Sequence, residues 1–329
     1  MKFKLNASLF KIETNKDFYL KKIKRNKFFD KILSNYGIRK NYSIYIINKK
    51  SETSKIFFIK NKNKIFVLRS STVKQSKYLK GQSKLVASIK NNFYFKILKG
   101  KSGYVLKLNN LNFILYEKVN GRIFEGQTIK LNNIFKNILL LHKSLKKKSY
   151  LKLELQNKKY KMQQIKKNTY LLTNKKFINQ MILKKFLSKQ TKILIFNNLF
   201  YIKNCINKID KLNLKKKDLQ IVHGDLNHSN IIVSNKRITF LDLEDLVVDN
   251  LKIALSTSIF KILRHVVFKN INKLSYINKY FSNLSKNFIR KNYFKDRYEI
   301  INFCIFRILS DISFIIDGLK LGKKKYLSD

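Results

Sequence analysis

Residues 221–250 carry side chains suited to chemistry at a density found nowhere else in the chain. The stretch IVHGDLNHSNIIVSNKRITFLDLEDLVVDN contains two of the four histidines and five of the nineteen acidic residues. Asp225 is followed five positions later by Asn230, and Asp242 ends an apolar run twelve residues beyond that. Two carboxylates and one amide are oxygen ligands of the kind that Mg²⁺ accepts beside water and substrate phosphates. This pattern favours a nucleotide–metal site over a solvated acidic loop.

The segment between Asn230 and Asp242 must bring these two side chains together. Two short apolar runs flank the polar turn Ser234-Asn235-Lys236-Arg237, which is a β-hairpin signal. A hairpin returns the end of its second strand to the start of its first. The sequence therefore predicts that Asp242 lies close to Asn230.

The elements around this segment predict an α+β fold. The first third reads mostly as strands with one helix, and the remainder is chiefly helical from 134–145 onward. We expect a nucleotide-binding lobe over residues 1–118, with a small antiparallel sheet and one main helix, and a larger catalytic and substrate lobe over residues 119–329. The predicted strands are 42–48, 55–61, 64–71, 104–109 and 113–119, and the predicted helix is 74–89.

The composition is strongly basic, with a formal net charge of +53 over 329 residues. Of the 72 basic residues 63 are Lys, and the enriched Lys, Asn, Ile, Phe and Tyr all have AT-rich codons. Coding bias accounts for this better than recognition of phosphates, which favours Arg. We expect no specific nucleic-acid partner, although association with RNA is left as an alternative. The charge alone should still attract anions at short range.

The cysteine content and the apolar segments of the sequence bear on where in the cell the protein is located. Cys205 and Cys304 are too few for a disulfide framework, and the start of the chain has no apolar run of signal-peptide length. The apolar segment 300–319 is interrupted by Arg307 and two aspartates, so it predicts a buried helix and no membrane span. We expect a cytoplasmic protein, of an oligomeric state that the sequence does not decide.

The motif HGDLNHSN…FLDLED resembles the signature of the aminoglycoside phosphotransferase and choline kinase-like superfamily. These are small-molecule kinases with the two-lobed protein-kinase fold. The resemblance implies that Asp225 is the catalytic aspartate, which orients the substrate hydroxyl and accepts its proton. It implies that Asn230 and Asp242 bind Mg²⁺, with ATP as the phosphate donor. A structural role is expected for His223, in the same loop.

Other parts of the resemblance concern the nucleotide. Arg69 in IFVLRSS lies where the family carries a basic residue that contacts the α- and β-phosphates. FILYEKVNG resembles the strand and hinge, so that backbone groups of Glu117 and Val119 would bind adenine. Val67 and Ile232 would enclose the adenine ring. LLLHKSL (139–145) resembles the helix after the hinge, and there a packing role is expected for His142.

The sequence also departs from the family pattern. No acidic residue occurs between Glu52 and Glu117, so Arg69 is expected to lack an ionic partner, with Gln82 the nearest polar candidate. The phosphate-covering turn NKKSETSK has no glycine. The phosphates would therefore be bound by the hydroxyl groups of Ser51, Thr53 and Ser54. Glu244 and Asp245 have two open roles, in metal or substrate binding or in capping and structural hydrogen bonds.

The favoured hypothesis is an ATP- and Mg²⁺-dependent kinase that phosphorylates a hydroxyl of a small metabolite. A neutral or anionic acceptor is expected, because few acidic residues lie in the substrate-side segments. A catalytically weak, kinase-like nucleotide-binding module is the alternative, motivated by the missing partner of Arg69.

Overall fold

The computed structural model describes residues 20–39, 41–47, 54–74, 76–89, 93–148, 153–184, 187–209, 212, 214, 218–235, 237–270 and 274–320. The chain forms two compact units. The first unit comprises Met1–Asn157, Gln220–Val248 and Arg264–Ile271, and the second comprises Lys158–Leu219, Asp249–Leu263 and Asn272–Asp329. The lobe boundary between residues 118 and 119 stays a prediction.

The first unit contains a six-stranded antiparallel sheet with strand order β1-β2-β3-β4-β6-β5. Its core is aliphatic and aromatic, and Ile59, Leu68 and Leu115 on the three central strands are fully buried. The strands are β1 (Leu20–Ile23), β2 (Tyr42–Ile47), β3 (Ser54–Asn61), β4 (Lys64–Thr72), β5 (Leu106–Leu108) and β6 (Leu111–Glu117). The sheet confirms the five predicted strands and adds β1, which was not predicted.

Two helices pack in this part of the first unit. Helix α1 (Lys27–Asn35) was not predicted; Asn26 caps it by accepting a hydrogen bond from the Phe29 backbone. It buries Ile32 and Leu33 in the core of the sheet. Helix α2 (Leu79–Ser88) is the predicted helix, but it starts five residues later than expected, after a run of turns. Gln82 lies on its buried face.

The predicted hairpin is present in the first unit. Strand β10 (Ile231–Val233) pairs antiparallel with β11 (Ile238–Phe240), with Ile231 opposite Phe240. The Ser234 hydroxyl closes the turn by accepting from the Arg237 backbone N–H and donating to the Arg237 carbonyl. Strand β7 (Arg122–Ile123) pairs with the other edge of β10. A further sheet has the order β8 (Gln156–Asn157), β12 (Leu246–Asn250) and β9 (Leu219–His223).

Gly121 permits the close approach of the chain before β7 to β10. Its φ is +143°, and a Cβ there would lie 2.6 Å from Ile232 Cγ2 and 2.8 Å from the Val233 carbonyl oxygen. Gly121→Ala therefore combines backbone strain with overpacking, and we expect it to lower the free energy of unfolding by roughly 3 kcal/mol. Urea unfolding measures the loss.

Gly103→Ala is the matched control for that substitution. Gly103 has a φ of +97°, but a Cβ at this position would have no atom within 4 Å of it. Gly103→Ala therefore introduces backbone strain alone, and it should lower the free energy of unfolding by roughly 1 kcal/mol. Equal losses for the two variants would show that the contact with β10 is not what demands glycine at position 121.

The described part of the second unit is helical, as predicted for the remainder of the chain. A polar network joins α4 (Met162–Tyr170) and α10 (Arg297–Lys320): the buried Asn168 amide donates to the Ser313 hydroxyl at 2.9 Å, and the exposed Lys320 donates to the Asn168 oxygen at 2.8 Å. The helices after β6 are α3 (Leu131–Lys146), which belongs to the first unit, α4 (Met162–Tyr170), α5 (Lys175–Leu183), α6 (Lys189–Asn197), α7 (Leu199–Lys208), α8 (Leu251–Lys269), α9 (Leu274–Arg290) and α10 (Arg297–Lys320).

The apolar segment 300–319 lies within α10, which confirms the predicted helix. Among the described residues, none of the helices has the length and apolar character needed to span a bilayer.

Candidate functional site

Asp225 lies in the loop directly after β9, where His223 fixes the backbone. His223 is fully buried, and its Nε2 is 2.9 Å from the Leu241 carbonyl oxygen, so Nε2 must carry the proton and donate. Its Nδ1 then accepts from the Asp225 backbone N–H at 3.4 Å. The imidazole thus ties the Asp225 loop to the end of the hairpin, in keeping with the structural role expected for it.

Asn230 and Asp242 meet at the base of the hairpin. The Asn230 side-chain N–H donates to the Asp225 backbone carbonyl at 3.0 Å, which turns the amide oxygen of Asn230 the other way. The Leu241 N–H donates to the Asn230 carbonyl at 2.8 Å, so the residue before Asp242 contacts the residue before β10. The hairpin therefore returns Asp242 to Asn230, as the turn sequence predicted.

Asp242 adopts an unusual backbone conformation. Its φ of 57° and ψ of 71° lie in the left-handed region, which Asp and Asn enter more readily than other non-glycine residues. A short 3₁₀ turn, Leu243–Asp245, follows, and its Asp245 carbonyl accepts from the Gly224 N–H at 2.8 Å. The side chain of Asp242 is 35% exposed. The bend leaves this carboxylate accessible beside the Asp225 loop.

Arg69 on β4 reaches the same place from the antiparallel sheet. One guanidinium nitrogen is 3.2 Å from Asp242 Oδ1 and the other is 2.8 Å from Glu244 Oε2. Burial works to lower the pKa of Arg69, but the carboxylates of Glu244 and Asp242 outweigh it and raise that pKa. The prediction that Arg69 lacks an ionic partner is wrong. It failed because the partner comes from the hairpin and not from the neighbouring helix.

Gln82 has a different role from the predicted one. It is 3% exposed, and its side-chain nitrogen donates to the backbone carbonyls of Glu244 at 2.7 Å and Leu246 at 3.1 Å. Gln82 therefore holds the backbone that follows Asp242 and does not contact Arg69 in place of an acid.

Two buried polar atoms at this site have no hydrogen-bond partner among the described residues: Arg69 Nε, a donor, and Glu244 Oε1, an acceptor. Buried polar atoms are almost always paired, and a bound group is one way to satisfy them. Burial raises the pKa of Glu244, Arg69 opposes this shift, and Asp242 adds to it. An anion with acceptor oxygens would suit the free N–H of Arg69.

The residues predicted to contact the adenine are spread over three elements of the first unit. Val67 on β4 and Val119 after β6 are buried, and Ile232 lies on β10. The Glu117 N–H donates to the Lys96 carbonyl at 3.1 Å, so only the Glu117 carbonyl could meet an adenine amino group. Ser54 begins β3, where its backbone pairs with that of Ser71. Ser51 and Thr53 lie outside the described residues.

Two side chains near the acids were not singled out from the sequence as site residues. The Asn227 amide donates to Asp225 Oδ2 at 3.3 Å, which orients the candidate catalytic carboxylate. Tyr116 on β6 lies near Arg69, and burial raises its pKa to about 12. Side chains alternate between the two faces of a strand, so Tyr116 shares a face with Ile114, and Ile114 is the cross-strand partner of Arg69 on β4. The sequence could therefore have indicated that Tyr116 and Arg69 lie on the same face of the sheet.

His228 and His265 form a stacked pair in the first unit. Their ring centroids are 3.6 Å apart and the rings are nearly parallel, at 4°. Burial is the main cause that lowers the pKa of His265, to about 4, and the neighbouring His228 and cations Lys269 and Arg264 lower it further. At neutral pH the pair is uncharged. With a pKa of about 4, His265 is a weak base.

The donor set at the hairpin fits a hard divalent cation. In the described part of the chain, no three His, Cys, Asp or Glu side chains lie close enough together to hold a metal ion by themselves. The Asn230 oxygen and the Asp242 carboxylate could supply two oxygen ligands, and Mg²⁺ typically completes its shell with water and nucleotide phosphates. These two residues could therefore hold Mg²⁺ only together with a phosphate-bearing ligand.

Comparison with solved structures identifies the fold. Spectinomycin phosphotransferase APH(9)-Ia, solved with ADP and spectinomycin, matches with a TM-score of 0.61 and 12% identity over 92% of this chain and 94% of that one. Amicoumacin kinase hAmiN, solved with AMP-PNP, Ca²⁺ and Ami, matches with a TM-score of 0.57 and 15% identity over 86% of this chain and 87% of that one. No protein-family model matches the sequence, and no curated protein matches it.

A third structure, aminoglycoside 2'-phosphotransferase-IIIa with GDP, has a TM-score of 0.55 and 12% identity over 92% of this chain and 95% of that one. The chain therefore has the protein-kinase-like α+β fold of the aminoglycoside phosphotransferases. This confirms the predicted fold class.

His142 on α3 gives the fold a defined pH dependence. The side chain is fully buried, and burial lowers its pKa to about 4, with a further contribution from His223. A histidine that folds neutral stabilises the protein above its unfolded pKa of about 6.5, and this stability is lost as the pH falls toward 4. At pH 5 the loss is about 2 kcal/mol relative to pH 7.5.

His142→Leu should remove this component. Chemical unfolding at pH 7.5 and pH 5 measures it, and the difference between the two pH values should shrink by about 2 kcal/mol in the variant. The measurement at pH 7.5, where His142 is neutral in both states, serves as the internal control. An unchanged difference would mean that other groups cause the acid sensitivity.

Proposed function

We propose that this protein is an ATP- and Mg²⁺-dependent phosphotransferase that transfers the γ-phosphate to a hydroxyl of a small molecule. The observation that carries the proposal is the convergence of Arg69, Asp242 and Asn230 next to Asp225, on one hairpin and one strand of the first unit. Cation, metal ligands and carboxylate are the parts that phosphoryl transfer requires. The kinase-like fold supports the same function.

Each residue has a role in the proposed reaction. The Asp225 carboxylate orients the acceptor hydroxyl and takes its proton, with Asn227 holding that carboxylate by its amide. Arg69 neutralises phosphate oxygens, and its free Nε–H adds a donor. Asn230 and Asp242 would hold Mg²⁺, and the ion would supply positive charge to offset that of the transferred phosphate. Little covalent chemistry is asked of the protein, because positioning and charge neutralisation lower most of the barrier.

The nucleotide contacts follow from the strand and hinge. The Glu117 carbonyl and the Val119 backbone would bind the adenine edge, with Val67 and Ile232 on its faces. Ser54 at the start of β3 would lie near the phosphates.

The acceptor is proposed to be neutral or anionic. Five acidic residues of the second unit are already engaged by neighbouring donors, and Lys252 and Arg307 neutralise two of them, so few carboxylates are left to contact a polycationic acceptor such as an aminoglycoside. Tyr160 donates to Asp249, the Glu299 backbone to Asp296, Lys252 to Glu299, Arg307 to Asp311, and Gln164 to Asp317.

An acceptor panel tests the proposal. The purified protein is incubated with ATP and Mg²⁺ against sugars, amino alcohols, phosphorylated metabolites and aminoglycosides, and ADP release and ³¹P spectra are followed. Transfer to a neutral or anionic alcohol is expected. Transfer confined to aminoglycosides would overturn the acceptor class, and nucleotide binding without any transfer would favour a nucleotide-binding module.

The nucleotide-binding alternative has lost its original motivation. It was based on the absence of an acidic partner for Arg69, and Glu244 and Asp242 are such partners. The RNA alternative is motivated by net charge alone; it predicts binding that falls steeply with salt.

A further inference from the structure

Helix α2 contributes no negative charge to the candidate phosphate site. The segment between Glu52 and Glu117 contains no acidic residue, and Gln82 is the α2 side chain that reaches the hairpin. Arg69 is nevertheless largely buried, at 17% exposure of its side chain, and a buried cation is costly unless it is paired. Its anion must come from elsewhere in the fold.

The stronger of the two contacts to Arg69 comes from Glu244. The Arg69–Glu244 contact is 2.8 Å, against 3.2 Å for Arg69–Asp242, and Glu244 is the more buried of the two acids. Asp242 is needed for Mg²⁺ under the proposed function, and a carboxylate that binds a metal cannot also be the sole anchor of a phosphate-binding cation. Glu244 is free of that conflict. It can hold Arg69 while Asp242 turns to the metal.

We propose that Glu244 is the positioning residue that aims Arg69 at the nucleotide phosphates, and that Gln82 positions Glu244 in turn. This inference rests on the proposed function of the site. The helix is coupled to the site by neutral hydrogen bonds to the backbone after Asp242, and the ionic contact is made by the hairpin itself.

The chemistry of position 82 explains why an amide stands there. A Gln side-chain NH₂ has two N–H donors, and here they meet two carbonyl oxygens, those of Glu244 and Leu246. A carboxylate at this buried position would face the same two oxygens with no donor when ionised. Glu at position 82 is therefore expected to be harmful, whereas it would be tolerated if α2 had to supply the ionic partner of Arg69.

A double-mutant cycle tests the role of Glu244. Glu244→Gln, Arg69→Met and the double variant are compared with the wild type for binding of Mg²⁺ and AMP-PNP by calorimetry. Glu244→Gln alone should weaken binding about tenfold, and in the Arg69→Met background it should weaken binding by less than about twofold, because a positioning residue acts through its partner. Equal losses in both backgrounds would overturn the inference.

The experiment distinguishes an error in the proposed phosphotransferase function from an error in the proposed role of Glu244. No binding of AMP-PNP by the wild type, with or without Mg²⁺, would defeat the proposed function. Binding by the wild type with additive losses would defeat only the role of Glu244.

The role of Gln82 is tested with Gln82→Met, which keeps the volume but cannot donate, and with Gln82→Glu. Both should raise the KM for ATP several-fold, and Gln82→Glu should be the more damaged of the two. Ser83→Ala is the control, since Ser83 is buried on the same helix and its hydroxyl has no partner among the described residues. An unaltered KM for ATP in Gln82→Glu would contradict the proposed role of Gln82. If the Gln82 variants fold poorly, the double-mutant cycle of Glu244 and Arg69 still tests the role of Glu244.

Discussion

Asp225→Asn is expected to reduce phosphoryl transfer on the order of 1,000-fold while nucleotide binding stays within about twofold of the wild type. Asn keeps the shape of the side chain and can still meet the Asn227 amide through its oxygen. It cannot accept the proton of the acceptor hydroxyl. Steady-state turnover with the best acceptor, together with calorimetry of AMP-PNP binding, measures the two effects separately.

Asn227→Ala provides the comparison for that result. It removes the hydrogen bond to Asp225 but leaves the carboxylate, so turnover should fall only about tenfold. If Asp225→Asn turned over at the wild-type rate, another group would accept the proton and the role of Asp225 would be rejected.

Asp242→Asn is expected to abolish the Mg²⁺ dependence of nucleotide binding and to lower turnover on the order of 1,000-fold. The left-handed backbone at position 242 tolerates Asn, and Glu244 still pairs with Arg69, so the variant should remain folded. AMP-PNP affinity is measured by calorimetry in two series. One contains roughly 5–10 mM Mg²⁺, to saturate the metal site, and the other contains EDTA, to remove the metal. The wild type should bind more tightly with Mg²⁺, and the variant should bind equally in both.

Asp218→Asn is a suitable control for Asp242→Asn, because it removes one negative charge at a residue outside the proposed site. Its nucleotide binding should keep the wild-type Mg²⁺ dependence. Retention of that dependence in Asp242→Asn as well would exclude Asp242 as a metal ligand.

The hairpin could be predicted from the sequence because its signals are local. Two apolar runs around the turn 234–237 determine the pairing of Ile231 with Phe240, and this pairing brings Asp242 to Asn230. The motif types and their spacing were enough to identify the fold class. No contact between distant parts of the chain was needed for either.

The partner of Arg69 could not be predicted from the sequence. Glu244 lies 175 positions away from it, and only the folding of the hairpin against the sheet brings the two together. The sequence pattern pointed to the neighbouring helix, where the acid is missing. Strand β1 was also missed, because its four residues are too few to show an alternation. Helix α1 was missed although its signals are in the sequence: Phe29, Ile32 and Leu33 have helical spacing and Asn26 is a capping residue.

The clustering of acidic residues in a chain of net charge +53 has a physical consequence at this site. Asp242 and Glu244 pair with the largely buried Arg69, and the Asp242 side chain stays 35% exposed. Under the proposed function, this carboxylate binds Mg²⁺ within a strongly basic protein. A free nucleotide would be attracted to many lysines, whereas under the proposed function a Mg²⁺-bound nucleotide would be held in one orientation by Asn230 and Asp242. This is the central claim of the proposed function.

A crystal structure of the protein with Mn²⁺ and AMP-PNP tests that claim most directly. Mn²⁺ replaces Mg²⁺ and gives anomalous scattering, so its position is observed and not inferred. The expected result is an anomalous peak coordinated by the Asn230 side-chain oxygen and the Asp242 carboxylate, with phosphate oxygens in the same shell and near Arg69. A nucleotide bound elsewhere, or a metal that touches neither residue, would contradict the assignment.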